Sequence, residues 1–278
     1  MISCKTLIHQ PISAQQRFIQ KDSQEGPVCF QLSSNNAIEL AEAVKIATQN
    51  GADLIDLNCG CPVKKIRSKG AGSKLLTDPA MLYQLITAMK NNTHLPISIK
   101  IRVEGKSSEK FHTEIAKVIN DAGADFLVVH GRHWTEHYET PCRYEDIRFF
   151  VENLSIPVIG NGDIRCVESL RKMFATGCAG VMISRAGVGQ PWLIKKLISE
   201  MENQKFVSPS IKEIGLSFIE HMTRLAKLIN NEKFAVLQGR KFAKYYGRNL
   251  AQKAEFCEAV NICFNLKDFE NICLNYFI

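Results

Sequence analysis

Short apolar runs alternate with amphipathic segments along the first two thirds of the chain. The runs Val28–Leu32, Leu54–Asn58, Ile97–Ile101, Phe126–His130, Pro157–Asn161 and Gly180–Arg185 predict six strands covered on both faces. Between them lie segments with helical spacing. Ala37–Gln49 puts Ile38, Leu40, Ala41, Val44 and Ala47 on one stripe, with Asn35 or Asn36 as candidate cap and Gly51 beyond its end. Pro79–Lys90, Glu109–Ala122 (closed by Gly123) and Val167–Ala175 (closed by Gly177) predict further helices. After Trp192 the pattern changes. Ser199–Lys212 is polar, carries Pro209 and predicts a linker. Then Ile211, Ile214, Phe218, Met222, Leu225 and Ile229 recur at helical spacing, and two or three more helices are expected before the C-terminus.

Successive strand–helix units predict a parallel α/β fold, either a doubly wound sheet or a TIM (β/α)8-type barrel. The strand ends favour the barrel. Gln31, Asn58, Lys100 with Arg102, His130 with Arg132, Asn161 with Asp163, and Arg185 all sit at or just past a C-terminal strand end. In a barrel those ends converge on one face, where active sites lie. A doubly wound sheet gathers its ligand groups near one switch point instead. The predicted organisation is a barrel domain over residues 1–198, a linker over 199–211 and a helical domain over 212–278. A barrel needs eight strands, at roughly 30 residues per unit. Met1–Gly26 predicts only loop and short helix, so the first strand and most of the second are expected to be missing.

Composition narrows the class. The 278 residues are 45% hydrophobic and 23% charged, which suits a globular protein. No apolar run reaches the ~18 residues of a membrane span, and the N-terminus lacks a secretory pattern, so a cytoplasmic location is expected. Ten cysteines fall well below the ~8–10% of a disulfide scaffold. No CxxC pair is present, so a zinc knuckle is not supported and no metal is expected. His133, His137 and Cys142 fall in a probable loop with no fourth ligand. The net charge of +7 is modest, but from Lys233 to Lys253 there are six basic residues and no acidic one, a local field suited to a polyanion.

The most informative stretch begins as the strand Leu54–Asn58 and continues Cys59-Gly60-Cys61-Pro62 into a basic, Gly-punctuated loop. It delivers an amide and a thiol to a strand end beside Lys64, Lys65, Arg67 and Lys69, an arrangement suited to chemistry on an anionic substrate. A cysteine thiol, pKa ~8.5, is mostly protonated at neutral pH and can give up one proton. Cys59, two residues earlier, is expected to face differently and to be a buried inert thiol. KGAGSK lacks the GxxxxGK[ST] spacing of a P-loop. Lysine is rarely buried without a partner, which singles out Lys100. Phosphate contacts are expected from Asn161-Gly162-Asp163 and Ser184-Arg185, since the last loops of a barrel commonly make such a site. A second cationic face is expected from Arg240, Lys241, Lys244 and Arg248, with Tyr245 and Tyr246; positions 240, 244 and 248 align on a helix.

The run DLNCGCPVKKIRSKGAGSKLL (residues 56–76) resembles the signature of the tRNA-dihydrouridine synthases. The resemblance extends through KIR (100–102), HGR (130–132), IPVIGNGDI (156–164) and SRAGVGQPW (184–192), and more weakly into the helical tail. It implies an FMN-dependent TIM barrel with a C-terminal helical domain that reduces uridine in tRNA using NADPH. By the same resemblance Cys61 is the general acid, protonating C5 of a uracil that receives hydride at C6. It places Gln31, Lys100 and His130 beside the flavin, with the Lys100 ammonium facing the ring region where negative charge grows on reduction. Asn58 is implied to contact the uracil edge or the flavin, and the two cationic groups to contact tRNA phosphates. The family's first strand, with its Ala-Pro-Met contact to the flavin, has no counterpart here. Two other functions stay open at this point: an FMN barrel acting on a free pyrimidine, and a non-catalytic RNA-binding remnant.

Overall fold

The computed structural model describes residues 1–15, 18–22, 25–105 and 109–278. By its internal contacts the chain divides into two units, Met1–Ile164 with Glu168–Met182, and Arg165–Val167 with Ile183–Ile278. The first unit carries β1 (Ile2–Ser3), α1 (Cys4–His9), α2 (Ile12–Gln15), β2 (Cys29–Ser33), α3 (Ala37–Gln49) and β3 (Leu54–Cys59). It continues with α4 (Lys64–Arg67), α5 (Pro79–Lys90), β4 (Ile97–Arg102), α6 (Glu109–Ala122), β5 (Phe126–His130), α7 (Tyr144–Asn153) and β6 (Val158–Asn161). It closes with α8 (Val167–Phe174), whose first residue counts with the second unit, and β7 (Gly180–Met182).

Among the described residues seven strands run parallel in the spatial order β1 to β7, each pairing with its sequence neighbour. A doubly wound sheet requires a reversal of strand order at its switch point. Here the order never reverses, and the fold is of the TIM-barrel type.

The registers explain how the sheet is covered. Gln31 lies opposite Asp56 and Asp56 opposite Ser98; Asn58 lies opposite Lys100; Arg102 lies opposite His130 and His130 opposite Asn161. These polar residues share one face, because side chains alternate along a strand. The other face is Phe30, Leu32, Ile55, Leu57, Ile97, Ile99, Ile101, Leu127, Val129 and Val158, all buried. The helices supply the matching apolar surface: Leu40 and Val44 of α3, Leu82, Leu85, Ile86 and Met89 of α5, Ile115 and Ile119 of α6, Ile147 and Phe150 of α7. At the N-terminal strand ends two carboxylates tie the loops down. Asp53 accepts from Val28 N and Lys21 Nζ, each at 2.6 Å, and Asp125 from Ile97 N at 2.8 Å and Lys90 Nζ at 2.6 Å.

The second unit carries α9 (Leu193–Met201), α10 (Ile211–Ile229), α11 (Glu232–Tyr246), α12 (Lys253–Ile262) and α13 (Leu266–Phe277). Ser210 and Glu213 form a capping box that starts α10. Asn230 ends it in the left-handed region, φ 52°, and Asn231 caps α11 through Phe234 N, so the two helices join with no intervening loop. Phe218 is fully buried at the centre of this unit. Its ring stacks on Tyr246 at 4.2 Å between centroids and meets Phe269 edge-on at 4.8 Å.

Several sequence-based expectations need correction. Ile2–Ser3, expected to be loop, is a strand paired parallel to Leu32–Ser33, and two residues carry no readable period. The parts of the Met1–Gly26 expectation that fall on residues 16–17 and 23–24 lie outside the described residues. Helix α7 was not expected at all. Its residues YEDIRFFVEN bury only Ile147 and Phe150, a stripe too sparse to show by spacing. The stretch predicted as linker is helical at both ends, since α9 runs to Met201 and α10 begins at Ile211. Strand β7 ends at Met182, so Ser184 and Arg185 lie beyond it, Arg185 in a 3-10 turn over Arg185–Gly187. Helix α11 stops at Tyr246, which leaves Arg248 in the following turn and off the helical face shared by 240 and 244.

Truncating Phe218 to alanine removes a fully buried ring and is expected to cost about 3–5 kcal/mol. Denaturant unfolding of the Phe218→Ala chain against the parent checks this, and a loss under about 1 kcal/mol would show that the cluster closes around the gap.

Candidate active site

The C-terminal strand ends of the first unit gather two rows of polar side chains. Asp56 is buried in the middle of β3, where its Oδ1 accepts from Ser98 Oγ at 2.6 Å and its Oδ2 from Gln31 Nε2 at 2.7 Å. Gln31 Oε1 in turn accepts from Asn58 Nδ2 at 2.9 Å, and Asn58 Oδ1 accepts from the Cys61 amide at 3.0 Å. On the neighbouring strands Lys100 Nζ donates to Asn161 Oδ1 at 3.0 Å, and Asn161 Nδ2 to the Met182 carbonyl at 2.7 Å.

The electrostatics follow from burial. Desolvation pushes the Asp56 carboxyl up to about 6, against the hydrogen bonds from Ser98 and Gln31 and the field of Lys100, which lower it. Desolvation presses the Lys100 ammonium down to about 8, opposed by Asp56. His130 is held down at about 3, first by burial and then by the charges of Lys100, Arg102 and Arg132. It is therefore neutral, and its Nε2, 3.1 Å from Arg132 Nη1, accepts from that guanidinium. Cys59 is fully buried and its thiol pushed well above the usual range, as expected for an inert sulfur.

Cys61 lies just past β3 and is half-buried. Its main chain is held on both sides. The amide donates to Asn58, while the carbonyl accepts from Ser73 N at 3.1 Å and Ser73 Oγ at 3.0 Å. Gly72 makes this possible: its φ is +62°, and a Cβ there would meet the Cys61 oxygen at 2.8 Å. Arg67 Nη1 donates to the same Ser73 hydroxyl at 2.7 Å, and its guanidinium lies 3.4 Å from the centre of the Trp134 ring. The loop after β3 is thus clamped to the loop after β5. Arg102 Nη1, donating to the His133 carbonyl at 2.9 Å, adds a second tie from β4.

Arg132 is 1% exposed and organises the β5 loop. It donates to both Asp163 oxygens, at 2.7 and 2.6 Å, and to the Thr140 and Tyr138 carbonyls. Asp163, expected at a cofactor phosphate, faces Arg132 and the Cys142 amide at 2.9 Å instead. Gly162 has φ +134°, and a Cβ there would strike Cys142 Sγ at 2.6 Å, so the loop admits glycine alone. His133 Nδ1 is engaged with Thr135 Oγ1 at 2.7 Å, and the Cys142 thiol donates to the Asn161 carbonyl at 3.6 Å. Among the described residues no group of His, Cys, Asp and Glu is arranged to hold a metal ion.

Of the expected site residues, Gln31, Asn58, Cys61, Lys100, His130 and Asn161 belong to this one rim. Lys64, Lys65 and Lys69 are exposed on or beside α4, whereas Arg67 is drawn into the clamp. Ser184, Arg185 and the cations 240–248 belong to the second unit. There Lys241 and Lys244 are exposed, but Arg240 donates to the Cys263 carbonyl at 2.6 Å and Arg248 to the Tyr245, Ala186 and Val188 carbonyls. Asp56, Ser98, Ser73 and Trp134 were missed from sequence. The signal for the first two was present in the alternation of Ile97-Ser98-Ile99-Lys100-Ile101-Arg102 and of Ile55-Asp56-Leu57-Asn58.

Fold and rim define a TIM-barrel-type α/β protein with a charged, partly buried site at the C-terminal strand ends. A family model for dihydrouridine synthase (Dus) matches residues 1–277, and the chain belongs to that oxidoreductase family. It is 31% identical over 240 residues to tRNA-dihydrouridine synthase B of Pasteurella multocida, covering 86% of this chain and 72% of that one. It is 30% identical over 263 residues to the protein of the same name from Proteus vulgaris, covering 94% and 81%. Among solved structures it is similar to DHODH from Eimeria tenella in complex with ferulenol, with a TM-score of 0.51 and 15% identity. That match covers 69% of this chain and 61% of the solved one, less than two thirds of its length, and it is a likeness of fold.

Titration of Asp56 is open to direct measurement. A carboxyl carbon resonance assigned to Asp56 is expected to titrate with a midpoint near 6; a midpoint near the ordinary ~3.9 would show that water reaches it. The native state then holds a proton that the unfolded chain has lost, so this contribution to stability falls as pH rises from about 4 to about 6. Lys100 acts in the opposite sense: its contribution falls as pH drops from about 10 toward 8.

Proposed function

We propose that the chain reduces uridine to 5,6-dihydrouridine in tRNA, with FMN as cofactor, NADPH as reductant and Cys61 as proton donor. The proposal rests on Cys61: a half-buried thiol at a C-terminal strand end, its main chain pinned at both N–H and C=O, on the rim that carries Lys100 and His130. Cys59, two residues away, is by contrast a fully buried thiol inside the β3–β4 ladder, where a cysteine acts as a small hydrophobe.

The residues suit a flavin. Among the described residues the Lys100 ammonium makes one hydrogen bond, to Asn161, and burial weakens its hold on its proton. An anionic group placed against it restores that balance, which is what a reduced isoalloxazine ring offers. His130, neutral and tethered to Arg132, presents an uncharged ring beside that ammonium. FMN, when bound, supplies the hydride for C6 of the uracil. Lys100 holds negative charge in place, Gln31 and Asn58 present amide groups of fixed orientation, and Cys61 delivers a proton to C5 from its sulfur. Ser184 and Arg185 keep a proposed phosphate role on the chemistry of a hydroxyl and a guanidinium. The Asp163 carboxylate is acceptor-only and paired with Arg132, so the proposed phosphate contact of the 161–163 loop falls to its main-chain N–H groups.

For tRNA, Lys64, Lys65 and Lys69 flank the thiol, and Lys241 and Lys244 are the exposed cations of the helical unit. Contacts of this kind set affinity and position rather than base choice. The uridine itself must leave its stack to reach a rim of strand ends, at a cost of a few kcal/mol. No helix among the described residues is long and apolar enough to cross a membrane, and we assign the activity to the cytoplasm, where tRNA is found.

Dihydrouridine formation on unmodified tRNA with FMN and NADPH tests the reading. Cys61→Ala is expected to lose most turnover, and turnover at the parent rate would remove Cys61 from the acid role. Binding of tRNA is expected to weaken steeply between about 50 and 200 mM salt. A flat dependence would favour a free pyrimidine as the substrate.

A further inference from the structure

The network beneath Cys61 has a direction. An amide side chain in a hydrogen-bonded row can sit either way round, and only its neighbours decide which. Here both ends of the row are of fixed sign. The Cys61 main-chain N–H can only donate, and the ionised Asp56 carboxylate can only accept. Between them Asn58 and Gln31 stand head to tail. Asn58 Oδ1 takes the Cys61 N–H at 3.0 Å, Asn58 Nδ2 gives to Gln31 Oε1 at 2.9 Å, and Gln31 Nε2 gives to Asp56 Oδ2 at 2.7 Å. Reversing Asn58 would set donor against donor at Cys61 and acceptor against acceptor at Gln31; reversing Gln31 would set acceptor against acceptor at Asp56 and donor against donor at Asn58. Asp56 is itself anchored from behind by Ser98 Oγ at 2.6 Å and is 3% exposed, so it cannot turn away to water.

We propose that Asp56 is a positioning residue for Cys61: by accepting from Gln31 it fixes the orientation of two side-chain amides in series and so holds the Cys61 peptide in place. This rests on the proposed role of Cys61 as proton donor, and it extends that role to a carboxylate that touches neither the thiol nor the substrate. The same orientation decides which amide hydrogens Gln31 and Asn58 have left to offer a ligand. Each has one N–H of its NH2 group spent along the row and one remaining, while both carbonyl oxygens are taken.

Two substitutions separate the acceptor from the volume. Asp56→Asn keeps an oxygen toward Gln31 and can turn its NH2 toward the Ser98 hydroxyl, so it preserves the direction of the row. Asp56→Leu is of similar size and removes the acceptor. Amide hydrogen exchange of the full chain without cofactor is the primary readout. In Asp56→Leu the protection of the Cys61 N–H is expected to fall roughly five-fold or more, the equivalent of one ordinary hydrogen bond. Protection of the Val129 N–H in β5 should stay unchanged, and Asp56→Asn should restore the parent value at Cys61. In turnover, Asp56→Leu is expected to lower kcat with KM for tRNA unchanged. If Asp56→Leu does not fold, Gln31→Met cuts the same row one link further along and is expected to expose the Cys61 N–H likewise. Unchanged protection at Cys61 in Asp56→Leu, or in Gln31→Met, would overturn the proposal. So would loss of protection in Asp56→Asn equal to that in Asp56→Leu. None of these exchange results depends on turnover, so they stand apart from the Cys61→Ala result that tests the acid role.

Discussion

A carboxylate and an ammonium share one face of this sheet, Asp56 buried and Lys100 partly so. Asp56 and Lys100 each shift toward neutrality because burial penalises their charged forms, and each moderates the shift of the other. Groups in that position must be hydrogen-bonded or they destabilise the fold by several kcal/mol. The neighbouring strands meet that requirement. Ser98 and Gln31 serve Asp56, and Asn161 serves Lys100. The network that keeps the interior satisfied is therefore also the network that orients the rim.

The rim is stiffened from above as well as from below. The loop after β3 is pinned through Ser73 and Gly72, and Arg67 ties it to Trp134 in the loop after β5. Arg132 and Asp163 tie the β5 loop to the end of β6. Cross-ties of this sort let a short thiol be held to a defined position without being sealed into the core. The proton delivery proposed for Cys61 would need such placement, because misplacement by an ångström costs a large factor in rate.

The helical unit sorts its cations by chemistry. Arg240 and Arg248, with planar forks suited to several carbonyl acceptors, cap main-chain oxygens within the unit. Lys241 and Lys244, with compact hydrated ammonium groups, stay exposed. The two arginines keep their charge, since carbonyl oxygens do not neutralise it, but commit donors to the main chain, which leaves the lysines as the exposed cations of this stretch. In the proposed function these lysines would meet phosphates, which asks for charge and no fixed geometry.

Local pattern was enough to determine the strand–helix alternation, the parallel sheet, the boundaries of α3, α5 and α6 and nearly those of α8, and the placement of Cys61 beyond a strand end. Each of those depends on neighbours within a few residues: apolar spacing, an Asn cap before α3, a Pro after the second cysteine. Strand β1 and helix α7 were not legible, because two paired residues and a two-residue apolar stripe carry no period of their own. The roles of Asp56, Ser73, Trp134, Arg240 and Arg248 were not legible either. Whether a charged side chain faces a ligand, a carbonyl or another charge is decided by groups that tens of residues of sequence separate and tertiary packing brings within 3 Å, as with Asp56 and Ser98 or Arg132 and Asp163. Chemistry at a strand end can be read from one segment of chain; who partners whom there is set only when the strands are laid side by side.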